Sequence, residues 1–198
     1  MAKHDEAEHL QPRNRTAWRR WLMTHHDSST GVWVVTYKKS AGKPSPSYEE
    51  LVLEALCFGW IDSRPGKVDD ERTKLYFCPR KKGSGWAATN KARIIDLEEQ
   101  GLMTPAGRAV IEQAKADGSW TKLDRSEAIV TPPALAKAFR AYPGSRRNFD
   151  AFPPGIRKQL IFWVDDAKRE ATRDKRADEV ARLAQQNIRA NQWQPKSS

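Results

Sequence analysis

Residues 47–63, S-Y-E-E-L-V-L-E-A-L-C-F-G-W-I-D-S, contain a helix, its stop and the start of a strand. Ser47 and Glu50 form a capping box, in which each side chain can satisfy a backbone N–H that the first turn leaves unpaired. Tyr48, Leu51, Val52, Ala55 and Leu56 follow at i, i+3, i+4, i+7 and i+8 and make one apolar helix face. Gly59 supplies the left-handed residue that stops such a helix. Cys57 and Phe58 therefore close the helix, and Trp60-Ile61 begin an extended segment. The aromatic residues of this stretch belong to a core. Asp62 stands beside that apolar wall and needs a polar partner.

The pattern extends in both directions from this segment. Residues 1–14 are a polar tail, expected to be disordered. Trp18, Trp21 and Leu22 sit at helical spacing within Thr16–His26, and V-W-V-V-T-Y-K at 32–38 is a strand rich in β-branched and aromatic residues. K-L-Y-F-C at 74–78 is another strand, ended by Pro79. Helices are expected near 89–99 and 105–116, the second with Thr104 as cap and Pro105 at its first position. Residues 119–131 read as a connector. Beyond it come a helix opened by Pro132-Pro133, a short turn at S-R-R-N-F-D, and an amphipathic helix through Ile156, Leu160, Trp163, Val164 and Ala167. The helical pattern resumes at Ala177–Ile188. Between the last two, A-K-R-E-A-T-R-D-K-R loses phase, through a break or through charges that pair within the helix. The fold class is α+β. A small antiparallel three-stranded sheet from 32–38, 60–64 and 74–78 is packed by helices in a domain over 15–118, and an all-helical C-terminal region covers 132–193.

The bulk composition narrows the function. The 198 residues carry a formal charge of +10 and a pI near 9.7, which favours an anionic partner. Eight tryptophans need an interior, so the chain folds. No run approaches the roughly 20 apolar residues of a membrane span. The opening M-A-K-H-D-E-A-E-H-L lacks the apolar core of a secretory signal, so the expected location is cytoplasmic. Cys57 and Cys78 have no metal or redox spacing and are expected as reduced thiols. His4 and His9 lie in the tail. A Cys57–His25 nucleophile pair is disfavoured, because apolar surroundings make a thiol inert. Metalloprotease, phosphate-loop, dinucleotide and nucleophile-elbow motifs are absent. The sequence therefore assigns no catalytic residue, metal ligand or cofactor, and leans away from an enzyme.

The candidate binding patch is L-Y-F-C-P-R-K-K-G-S-G-W, 75–86. Arg80, Lys81 and Lys82 stand against Gly83-Ser84-Gly85, whose backbone can approach an anion closely. Trp86 and Tyr76 offer flat faces for stacking, Lys38 and Lys39 end a strand expected to neighbour this one, and Trp60 and Asp62 lie near its base. Such a patch suits an unknown anionic ligand or a protein partner. Nucleic acid is the alternative occupant. An enzyme with a pocket around Asp62 and Ser63 is the other alternative, and it requires a raised carboxylate pKa there.

Four stretches, G-V-W-V-V-T-Y-K-K at 31–39, E-A-L-C-F-G-W-I-D-S at 54–63, F-C-P-R-K-K-G-S-G-W at 77–86 and A-K-R-E-A-T-R at 167–173, resemble the YdeI/OmpD-associated family, also called bacteriocin-protection proteins. The resemblance is collinear from about Trp18 to Gln186. It implies a binding protein tied to envelope or antimicrobial-peptide stress, and it brings no catalytic residues to this sequence.

Overall fold

The computed structural model describes residues 7–192. Of the expected tail, residues 1–6 (His4 among them) lie outside the described residues, as does position 193 of the helical region. The chain divides into two compact units, with the division between Thr121 and Lys122.

In the first unit, β1 (His9–Leu10) precedes α1 (Arg15–His25), whose first turn is capped by the Asn14 side chain accepting from Ala17 N–H at 2.9 Å. Then come β2 (Val32–Tyr37), α2 (Tyr48–Cys57), β3 (Trp60–Lys67), β4 (Arg72–Pro79), α3 (Ala88–Glu99) and α4 (Pro105–Ala116). The strand order is β1-β2-β4-β3. β4 pairs antiparallel with both β2 and β3, whereas β1 pairs parallel with β2, His9 opposite Trp33 and Leu10 opposite Val34. The expected three-stranded antiparallel sheet is thus corrected to a four-stranded mixed one. A two-residue strand has no periodicity of its own. It exists because Trp33 N–H bonds the Glu8 carbonyl at 2.9 Å and the His9 ring stacks near the Trp33 indole.

The capping box at Ser47 and Glu50 is present. Leu51, Val52, Ala55 and Leu56 are buried with Trp18, Leu22, Val32, Val34, Phe77 and Trp60 in one core. Tyr48 instead faces solvent. Glu54, 2 % exposed, lies among these residues as a charge. It accepts from Arg15 Nε at 2.5 Å and Arg19 Nη1 at 2.6 Å, while Arg19 Nη2 donates to the Leu102 carbonyl at 2.9 Å. One carboxylate therefore joins α1, α2 and the segment leading to α4.

α4 docks its N-terminus on the end of α2. Thr104 gives both its N–H (3.2 Å) and its hydroxyl (2.6 Å) to the Cys57 carbonyl. A Cβ at Gly107 would come within 2.3 Å of that same oxygen, so the approach depends on having no side chain there.

The second unit is helical: α5 (Asp124–Glu127), α6 (Pro133–Ala141), α7 (Ser145–Ala151), α8 (Pro154–Asp165) and α9 (Glu170–Gln185). Leu135, Phe139, Phe149, Leu160, Ile161, Val164, Val180 and Ala184 form its core. The loss of phase after Ala167 is a break between α8 and α9. Arg173 Nη2 and Arg176 Nη1 then bond the carbonyls of Ala167 (3.0 Å) and Trp163 (2.7 Å), at the end of α8 where cations are favoured.

Gly107→Ala should lower stability by about 1–3 kcal/mol through overpacking. The check is the urea midpoint followed by tryptophan fluorescence. An unchanged midpoint would mean that α4 and the end of α2 are not in this close contact.

Candidate functional site

β4 ends at Pro79, opposite Trp60, and Arg80 N–H extends the ladder by bonding the Gly59 carbonyl at 3.0 Å. The chain then leaves the sheet as a loop that folds back on itself. Ser84 N–H bonds the Lys81 carbonyl at 3.1 Å, with Gly83 between them at φ +77°. Arg80 Nη1 donates to the Gly85 carbonyl at 2.9 Å, and the guanidinium lies 3.8 Å from the centroid of the Trp86 ring. Trp86 packs in turn against Trp120, ring centroids 5.1 Å apart.

This arrangement takes Arg80 inside; it is 8 % exposed. Nη1 has its carbonyl, but Nε and Nη2 have no protein acceptor among the described residues. Burial pushes the guanidinium down to about 10, against the opposing pull of the Asp62 charge. Arg80 lines a cavity of ≈ 10 Å³ between the loop and α4, room for about one water-sized occupant. Lys81 and Lys82, both solvent-exposed, line it too. So does Asp117, whose carboxylate accepts from Ser119 N–H at 2.9 Å. Bonds from Ser119 and from the Gly83 N–H hold it below the usual carboxylate range.

The expected patch does not come together as one surface. Arg80, Lys81, Lys82, Trp86 and Asp62 lie at one end of the β3–β4 hairpin. Lys38 and Lys39 lie at the other, because Lys38 N–H bonds the Glu71 carbonyl at the start of β4. A strand of eight residues, roughly 25 Å long, separates the two groups. The rings expected to stack on a ligand are interior. Trp86 and Trp60 are each 1 % exposed. Trp60 Nε1 bonds the His26 carbonyl at 3.0 Å, and its ring meets Trp21 edge-on. Tyr76 is buried against Trp33, 5.3 Å between centroids. The short alternation of these strands fixes which residues share a face, but not which face is covered.

Asp62 finds its polar partner in Tyr48, whose hydroxyl donates to it at 3.0 Å. Burial, and then the Asp62 charge, push the Tyr48 phenol up. Beside them Arg93 grips Glu49 with two bonds, at 2.6 and 2.8 Å, and donates a third to Asn90. Cys57 is fully buried, and burial pushes its thiol up, while the His25 ring stacks on Trp21. Among the described residues no group of three or more His, Cys, Asp or Glu is placed to hold a metal ion, and no helix is long and apolar enough to cross a membrane. Sequence reasoning missed that Arg80 is buried and short of acceptors. The available signal was R-x-x-x-x-x-W across two glycines, a spacing that lets the loop close and stack the cation on the ring.

Residues 10–110 match the family model described as Domain of unknown function (DUF8412), just over half of the chain, and the chain belongs to that family. Residues 128–187 match the model described as Bacteriocin-protection, YdeI or OmpD-Associated. The resemblance expected from Trp18 to Gln186 is thus found in the helical unit. Three of the four stretches that suggested it fall within the 10–110 match. None of the curated proteins and none of the solved structures compared with the chain matches it.

Buried Arg80 and half-buried Arg19 should respond differently to removal of charge. Arg19→Met strips one partner from buried Glu54 and should cost about 3 kcal/mol. Arg80→Met removes an unsatisfied charge and keeps an apolar stem on Trp86, so stability should stay within about 1 kcal/mol of wild type or rise. The folded-state pKa of Arg80 is the depressed one. Its charge therefore costs stability in full at neutral pH, and the cost is relieved only as pH rises past about 10. Urea midpoints at neutral pH compare the two variants; a large loss for Arg80→Met would mean that its donors are satisfied within the fold.

Proposed function

We propose that this protein is a non-enzymatic cytoplasmic binding protein of the bacteriocin-protection type, serving in envelope or antimicrobial-peptide stress, and that it takes an anionic ligand on the loop from Arg80 to Trp86. One observation carries the reading. Arg80, Lys81 and Lys82 are three consecutive cations, and among the described residues none is in an ion pair. Other cations of the same unit are paired, among them Lys43 with Glu71, Lys67 with Asp70, Arg72 with Asp69, Arg93 with Glu49 and Arg108 with Glu98. A cationic run left unpaired beside a cavity is free to take charge from outside.

The match of residues 128–187 supports the stress link, and the charge of +10 supports the sign of the ligand. Burial of Trp86 and Tyr76 removes base stacking as the means of recognition, leaving charge and hydrogen bonding. A polynucleotide held on this loop would show affinity falling steeply with salt, through counterion release. A compact ligand held by few contacts would show a shallow slope.

The test is complementation. Cells lacking the protein should lose tolerance to an antimicrobial peptide and regain it with the wild type, but not with a Lys81→Glu, Lys82→Glu double variant. Equal protection by that variant would remove the loop from the function.

A further inference from the structure

We infer that Arg80 is a recessed receptor for a carboxylate, whose two oxygens take the Nε–Nη2 edge of the guanidinium while the rest of the ligand lies outside, past Lys81 and Lys82. This rests on the reading that the loop binds an anion, and it specifies the chemical group.

The guanidinium has five N–H donors. Its Nη1 is occupied by the Gly85 carbonyl, and Nε and Nη2 have no protein acceptor among the described residues although the side chain is more than nine-tenths buried. Buried charged donors without partners are rare and costly. The fold is able to satisfy such groups: Arg19 has Glu54 on one terminal nitrogen and the Leu102 carbonyl on the other.

Nε and Nη2 form one side of the planar fork, the side that receives two oxygens in parallel. Stacking at 3.8 Å on Trp86 and the bond to Gly85 hold that plane fixed before any ligand arrives. Little rotamer entropy is then lost on binding.

Size and charge select the group. A cavity of ≈ 10 Å³ holds about one water-sized group, so only the leading edge of a ligand enters, which favours a flat carboxylate over a bulkier tetrahedral phosphate. Asp117 lines the same cavity as an anion already engaged by Ser119 and Gly83, which disfavours a dianion. Lys81 and Lys82 are exposed and available to whatever carries the carboxylate. The source is either a small organic acid or the C-terminus of a peptide.

The experiment follows the Arg80 Nε–H and Trp86 indole N–H resonances of the full-length protein by NMR. The titrants are sodium acetate, a short peptide with a free C-terminus, the same peptide amidated, inorganic phosphate, and sodium chloride at matched ionic strength. The expected result is a saturable shift with acetate or the free peptide, absent with the amidated peptide and with chloride, and weaker by about tenfold or more with phosphate. Saturation by the peptide at lower concentration than by acetate identifies a peptide source, and the reverse identifies a small acid. Arg80→Lys, which keeps the charge and loses the paired edge, should weaken binding about tenfold or more with the other indole resonances in place. No shift with any carboxylate, or an equal one with chloride, overturns the inference. If carboxylate moves Arg80 while the Lys81→Glu, Lys82→Glu variant still protects cells, the inference stands and the functional reading fails. If that variant loses protection while Arg80 is unmoved, the functional reading stands and the inference fails.

Discussion

The first unit is organised around one buried carboxylate. Glu54 sits on the apolar face of α2, where an unpaired charge would cost several kcal/mol. It is tolerated because Arg15 and Arg19, one turn apart on α1, both reach it, and because Arg19 spends its remaining nitrogen on Leu102. The pairing fixes the rotation of α1 against α2, and so the side from which Trp18 and Leu22 enter the core. The same helix end then receives α4 through Thr104 and Gly107. Sheet and hairpin are mounted on this frame, and the loop after β4 takes its position from it.

Against that frame Arg80 is an exception of the opposite kind. Arg19 and Arg80 are both cations drawn toward the interior, but both terminal nitrogens of Arg19 have protein acceptors, whereas only one of Arg80 does. A sequence that supplies two arginines and a backbone carbonyl for the interior needs of Glu54 and Arg19 shows that satisfying buried charge is within reach of this fold. Leaving two donors of Arg80 without protein acceptors among the described residues is a local conflict between stability and something else, and such conflicts gather at functional sites.

Much of the fold was legible because local chemistry and tertiary structure agree. The Ser47–Glu50 box, the Leu51–Leu56 face, Gly59 and the strand at 32–38 each carry their own signal, and each is found. What was not legible depends on neighbours. β1 is a strand only because Trp33 and Glu8 meet, and Glu54 looks like an exposed acid until α1 is laid beside it. For the site, the run Arg80–Lys82 was visible as charge. Its supposed companions Lys38 and Lys39 were grouped with it because the two strands were expected to be neighbours, without following the antiparallel pairing to the end at which each cation falls. Antiparallel pairing sends the two groups to opposite ends. The aromatic rings were visible too, but burial is decided by what packs on a strand, and the alternation of side chains does not report that.

The bordering strand β3 has a consequence of its own. Its ladder slips between Asp62 and Arg64, Pro65 offers no N–H, and Arg64 and Lys67 put charge along the margin. Such a border rejects an extra strand. The β3 border is therefore a poor place for a partner to lengthen the sheet or for two copies to zip together. On this side of the sheet, recognition is left to side chains at the ends of the hairpin rather than to the backbone.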